Sequence, residues 1–242
     1  MEKIKQAAEL IKKANNITVL TGAGISVESG IPDFRSPGGL WERFDPFEYA
    51  HIDSFHRDPY KVWEMLKEMH QIVGKAEPNF AHIALKKLED LDKNVVIITQ
   101  NIDRLHSKAG SSVVYEYHGR WDKLVCVKCG AEDRTENYPL DIIPKCKNCD
   151  FPYKPDVVFF GEPIDPYVSQ KSNEAAANCD VFIVIGTSAQ VYPAAYLPNI
   201  AYRNDIPIIE INLEPTPLTS TVTSIFLQGK ASETMKNILK NL

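Results

Sequence analysis

The chain has 242 residues, 44% of them hydrophobic and 24% charged, with a net charge of −5 at neutral pH. That balance fits a soluble globular protein, either one large domain or one domain carrying a small insert. It argues against direct binding of nucleic acid, which needs clustered Lys and Arg, and the apolar runs are too short to span a bilayer.

The first element is helical: Ile4, Ala7, Ala8, Ile11 and Ala14 share one face, and Asn15-Asn16 ends it. Its charged, amphipathic character lacks the apolar stretch of a signal peptide, so a cytoplasmic location is expected. ITVLT at 17–21 follows as a strand buried on both faces, and the same signal recurs in VVIIT (95–99), VFIVIG (181–186) and IPIIEIN (206–212). Helical patterns lie between, over 59–73 after Asp58-Pro59 and over 79–91 after Asn79. Strands alternating with helices predict an α/β domain on a mostly parallel, Rossmann-like sheet.

Two stretches break the rhythm. From Ser29 to about Phe55 the chain is rich in Gly, Pro and aromatics and too long for an ordinary connection, which suggests a functional loop leading into helices. From Val125 to about Pro155 apolar periodicity fades, and the segment holds Cys126-Val-Lys-Cys129 and Cys146-Lys-Asn-Cys149 with sixteen residues between the pairs. Two C-x-x-C knuckles at this spacing predict a four-cysteine zinc ribbon, whose metal supplies the stability a small core cannot. Four thiolates complete the coordination sphere, so His118, eight positions before Cys126, has no vacancy to fill and the ion is structural.

The ends of the predicted strands carry polar or glycine-rich segments. Gly22-Ala23-Gly24 suits either a close approach to phosphate or a tight strand-to-helix turn, and Val27 stands where a dinucleotide fingerprint has its third glycine. Pro32-Asp33-Phe34-Arg35 adds a carboxylate, a ring and a guanidinium in a loop. Gln100-Asn101-Ile102-Asp103 follows the second strand, Gly186-Thr187-Ser188 the third and Asn212 the fourth. In open α/β sheets ligands bind at these carboxyl ends, and together the segments describe a nucleotide-sized cleft.

The ordered segments GAGISVESGIPDFRS, TQNIDRLH, YHG, VVFFGE, GTSAQVYPAA and INLE, with both cysteine pairs between YHG and VVFFGE, resemble the sirtuins, the NAD-dependent protein lysine deacylases. The resemblance covers essentially the whole chain, at the length of a bare archaeal or bacterial catalytic core. It implies a large NAD-binding domain over about 1–35, 79–120 and 155–242. The implied small domain combines a helical insertion (36–78) with the zinc ribbon (121–154). Gly22, Ala23, Gly24, Asp33, Phe34 and Arg35 are then the cofactor loop, and Gln100, Asn101, Ile102 and Asp103 surround the nicotinamide ribose. Gly186, Thr187, Ser188, Asn212, Leu213 and Ala231 hold the adenosine half.

By the same resemblance, an acylated lysine peptide adds as a strand between Val158, Phe160, Gly161 and Glu162 on one side and Val191 and Tyr192 on the other. Its uncharged acyl chain lies in a tunnel lined by Phe34, Val158 and Phe160. Asn101 and His118 are the implied catalytic residues, His118 as general base, and the products are nicotinamide and O-acyl-ADP-ribose. The partner is an acetylated protein, such as a basic chromatin or metabolic protein.

Lys154 replaces an arginine common in the family, a change expected to be harmless. Leu66 and Met69 stand where succinyl-preferring branches have Tyr and Arg, which favours acetyl or longer apolar acyl groups. ADP-ribosyl transfer or NAD hydrolysis in the same cleft, and a non-enzymatic zinc-ribbon binding module, are the alternatives. Cys179 reads as a core thiol and Trp41, Trp63 and Trp121 as packing residues. His51, His56, His70 and His82 lack metal-ligand spacing, and His106 is expected on a helix surface or behind the site.

Overall fold

The fully apolar runs take the centre of the molecule because only a strand covered on both faces gains from having no polar side. A computed structural model describes residues 2–34, 38–139 and 141–242. In chain order its elements are α1 (Glu2–Lys13), β1 (Asn16–Thr21), α2 (Pro46–Tyr49), α3 (Ile52–Arg57), α4 (Pro59–Val73), α5 (Phe80–Glu89), β2 (Asn94–Thr99), α6 (Leu105–Lys108), β3 (Val113–Glu116), β4 (Gly119–Val125), β5 (Glu132–Arg134), β6 (Lys154–Val157), α7 (Pro166–Ala177), β7 (Val181–Ile185), α8 (Leu197–Arg203), β8 (Ile208–Asn212), β9 (Ile225–Gln228) and α9 (Ala231–Leu239). Short 3-10 turns join several of them.

Six strands form one parallel sheet in the order β3-β2-β1-β7-β8-β9. The strand order therefore reverses between β1 and β7, and a crevice opens at the carboxyl ends of those two strands. One face packs Ala7, Ile11, Leu85, Leu88, Met235 and Ile238 from α1, α5 and α9 against Val19, Ile97 and Ile183. The other packs Ala176, Leu197 and Ala201 from α7 and α8 against Leu20, Phe182 and Val184. This is the α/β architecture expected from the sequence.

The second unit has its own core. Helices α3 and α4 bring Phe55, Val62, Trp63, Met65 and Leu66, together with Leu40 from the preceding turn, against Trp121 of β4 and Phe159 just beyond β6. The ribbon's antiparallel sheet, β5-β4-β6, pairs from Gly119 to Val157. Helix starts follow local chemistry. Asp58 caps α4 through Lys61 N–H (3.1 Å), with Pro59 in the first turn, and Asn79 caps α5 through Ala81 N–H (2.9 Å).

No helix among the described residues is long and apolar enough to cross a membrane.

Candidate functional site

The crevice at the β1/β7 switch point widens into a cleft of about 1390 Å³ that reaches the second unit. Its floor is built by close approach. Gly22 and Gly24 donate their N–H groups to the carbonyls of Ile185 (3.1 Å) and Gly186 (2.8 Å). A Cβ on Gly22 would lie 2.7 Å from Thr187 Cβ, and one on Gly24 2.7 Å from Gly186 Cα. The glycines are required by contact between two strand ends, and these two N–H groups face β7 rather than a phosphate. Across the gap left by the missing side chain, Gln100 Nε2 donates to Thr187 Oγ1 (2.9 Å) and Asn212 Nδ2 donates to Thr187 O (2.9 Å). The ends of β2, β7 and β8 are thereby tied over that of β1.

Asn101 is 8% exposed. Its Nδ2 donates to Gly22 O and to Ser26 Oγ, both at 3.1 Å, so both amide hydrogens are engaged and Oδ1 is left as the free end. Ser26 in turn donates to Asp103 Oδ2 (2.7 Å), and Leu105 N–H donates to Asp103 Oδ1 (2.9 Å). Asp103 therefore stands behind Asn101 rather than on the cleft wall. Burial pushes its carboxyl above the ordinary value, against the hydrogen bonds that favour the charged form.

Two histidines back this network. His82 Nδ1 accepts from Asn79 N–H (3.3 Å), which leaves the proton on Nε2, 3.5 Å from Ser26 Oγ. Its ring meets that of His106 edge-on, with centroids 4.8 Å apart. His106 is buried and pairs with Thr21 Oγ1 (2.9 Å), which itself donates to Thr99 Oγ1 (2.9 Å). Of the two readings offered by sequence, it lies behind the site and not on a helix surface.

Burial lowers His82 from 6.5 to about 4, and His106 moves in the same direction. The unfolded chain binds these protons below about pH 6.5 while the folded protein refuses them, so stability is full above that value and is lost as pH falls. His82 alone should remove about 2 kcal/mol of unfolding free energy between pH 7 and pH 5. Urea unfolding at the two values checks this, and His82→Gln should shrink the difference by about that amount while leaving the share due to His106.

His118 lies between β3 and β4 on the cleft wall. Its Nδ1 lies 3.1 Å from the carbonyl of Gln100. A carbonyl only accepts, so Nδ1 carries the proton and Nε2 keeps a lone pair. Burial lowers the His118 pKa, opposed by that carbonyl.

Of the other residues singled out from sequence, Ala23, Asp33, Phe34, Ile102, Ser188, Leu213 and Ala231 line the cleft, as do Val158, Phe160, Gly161, Glu162, Val191 and Tyr192. Arg35 lies outside the described residues. Phe160 uses its backbone within the protein: its N–H donates to Ala50 O (2.9 Å) and its carbonyl accepts from Ile52 N–H (3.0 Å). Trp41 and Trp121, read from sequence as packing residues, join Met65 and the two acyl-group positions Leu66 and Met69 in the apolar wall beside Phe34. Trp121 Nε1–H bonds His70 Nδ1, and the two rings stack.

The four cysteines of the two C-x-x-C pairs hold their Sγ atoms within 4.8 Å of one another. The 126–149 and 129–146 pairs are 3.5 Å apart and 129–149 is 3.7 Å. A zinc tetrathiolate with bonds of about 2.3 Å has edges of about 3.8 Å, so the residues fit the ion they were expected to hold. Cys179 is separate and buried beneath α7.

The sequence model of the Sir2 family matches residues 22–193. An NAD-dependent protein deacylase of Pyrobaculum aerophilum is 41% identical over 97% of this chain and 94% of its own length. A crystal structure of a Sir2 homologue in complex with NAD superposes with a TM-score of 0.90 at 40% identity, covering 98% of this chain and 93% of that one. Sir2Af2 bound to a myristoylated histone peptide superposes with a TM-score of 0.83 at 38% identity, covering 99% and 96%.

Proposed function

This chain belongs to the Sir2 family, and from that membership we propose a working assignment for its cleft. The protein is an NAD-dependent protein lysine deacylase that transfers the acyl group to ADP-ribose, releasing nicotinamide and O-acyl-ADP-ribose. NAD is the co-substrate, an acylated lysine peptide is the partner, and the four cysteines form a structural metal centre suited to zinc.

The observation that carries the residue assignment is His118, a neutral imidazole on the wall of a switch-point cleft with Nδ1–H fixed by Gln100 O. When bound, NAD supplies a ribose carbon that releases nicotinamide and accepts the acyl oxygen. His118 Nε2 takes a proton from a ribose hydroxyl, the role its tautomer permits. Asn101, with its amide hydrogens held by Gly22 and Ser26, offers Oδ1 to the positive charge that develops on the sugar. Gln100, Thr187 and Asn212 hold the strand ends on which the nucleotide rests, with Ala23, Asp33, Phe34 and Ile102 on the nicotinamide side and Ser188, Leu213 and Ala231 on the adenosine side.

The acyl chain runs along Phe34, Met65, Leu66, Met69 and Ile102. Acylation has removed the lysine's charge, so this wall receives it without burying an ammonium. A succinyl or malonyl carboxylate would find no cation among these side chains.

Mass spectrometry of reactions with NAD and a panel of acyl-lysine peptides tests the assignment. Nicotinamide and O-acyl-ADP-ribose should form in equal amounts from acetyl and longer apolar acyl peptides and barely from a succinyl peptide. ADP-ribose attached to protein, or free ADP-ribose accumulating without peptide, would replace deacylation with transfer or hydrolysis.

A further inference from the structure

Lys154 is only 4% exposed, an unusual place for an ammonium. Three acceptors surround its Nζ: Val157 O at 2.6 Å, Glu162 Oε2 at 2.9 Å and Pro155 O at 3.2 Å. An ammonium has three N–H donors, so each has a partner. The Nζ also sits 4.5 Å from the centroid of the Phe159 ring. Burial lowers the lysine's pKa while Glu162 raises it.

The partners place this charge beneath one segment. Val157 and Glu162 are the two ends of the stretch whose middle, Val158, Phe160 and Gly161, lines the cleft. Between them Glu162 Oε2 accepts a second bond, from Phe159 N–H (2.8 Å), and Glu162 N–H donates to Phe159 O (3.0 Å). Val158 N–H is held by His118 O, and Phe160 by Ala50 and Ile52. On its other side, Lys154 belongs to β6 and pairs with Val125, the residue before Cys126. One buried side chain thus joins the strand beside the metal knuckle to both ends of the substrate edge.

We propose that Lys154 is a positioning residue for the acyl-lysine peptide: its ammonium draws Val157 O and Glu162 together and so fixes the edge on which the peptide docks. The inference rests on the deacylase reading of the cleft. A compact three-donor head fits three acceptors around one nitrogen, and a guanidinium keeps both the charge and enough N–H donors to hold them through its planar fork.

The test measures equilibrium affinity of a fluorescent acetyl-lysine peptide by anisotropy, and of NAD by calorimetry, for the wild-type chain, Lys154→Met and Lys154→Arg. Removing one partner of a buried pair should weaken peptide binding by about tenfold or more in Lys154→Met, with NAD affinity within about twofold. Lys154→Arg should recover most of the loss. Peptide affinity unchanged in Lys154→Met, or NAD affinity falling as far as peptide affinity, overturns the proposal. Should Lys154→Met fail to fold, Glu162→Gln removes the same charge pair from its more exposed side and should shift peptide affinity in the same direction, while no shift there overturns it. A wild-type chain that binds the peptide yet leaves it acylated would overturn the deacylase reading, with the clamp still read from affinity.

Discussion

His118→Ala is expected to lower the turnover of an acetyl-lysine peptide by roughly 10²–10⁴-fold, the usual range for loss of a general base, with the unfolding midpoint little changed. Among the described residues the imidazole hydrogen-bonds only Gln100 O, while the link that orders the chain runs from Val158 N–H to the backbone carbonyl of His118 and survives the substitution. The base works only when neutral. Its pKa is lowered by burial, so the rate should fall as pH drops through a value below 6.5 and should be level above it. Steady-state kcat/KM measured from pH 5 to pH 8 reads this limb, and the limb should vanish from the residual rate of His118→Ala. Wild-type turnover in that variant, or a limb centred above pH 7, would mean another group takes the proton.

Much of this site was legible because strand ends and cysteine knuckles are local in sequence. VFIVI and ITVLT are uninterrupted apolar runs, and β7 and β1 flank the switch point that the polar segments after them surround. The edge strands β3 and β9 escaped notice for the converse reason. VVYE and IFLQ are four residues each and mostly half-buried, so neither the continuous nor the alternating pattern has room to show. Glycine's identity at 22 and 24 was plain, but its reason was not: the constraint is the end of β7, more than 160 positions away.

Residues behind the site were the hardest to find. Ser26 and His82 meet only because the N-terminus of α5 abuts the turn after β1, where Asn79 Nδ2 also donates to Ile25 O (2.7 Å). A local clue existed. Asn79 with His82 three residues on is a capping box with an imidazole in place of Glu or Gln, and a histidine whose Nδ1 is occupied by a cap must present Nε2–H elsewhere. The tunnel wall raises a different difficulty, because a channel for an apolar chain is made of the same residues as a core. Met65 carries a pattern that packing explains fully, and only the cleft beside it shows its second face, whereas Leu66 and Met69 were placed at the acyl group by the family resemblance and not by periodicity.

The metal centre should matter to turnover even though it lies outside the chemistry. Leu124, Cys126, Cys146 and Tyr153 are the buried members of the ribbon's own core, too few to order it unaided. Metal binding in such segments is worth on the order of 10 kcal/mol or more in isolated zinc fingers, so removing the ion should melt the ribbon. The sheet of β1, β2, β7 and β8 has separate cores on both faces and should stay folded. Yet β4 starts one residue after His118, and β6 runs into the peptide edge; both are strands of the ribbon. Cys146→Ser, or chelation under reducing conditions, is therefore expected to lower deacylation by about 100-fold or more while most far-UV circular dichroism survives, because an active-site misplacement of about 1 Å already has effects of that size. Zinc content, circular dichroism and turnover measured on one sample make the comparison. Full activity in metal-free protein would show that β4 and β6 hold His118 and the peptide edge without their staple, and loss of the whole fold would show that the two units are one cooperative body.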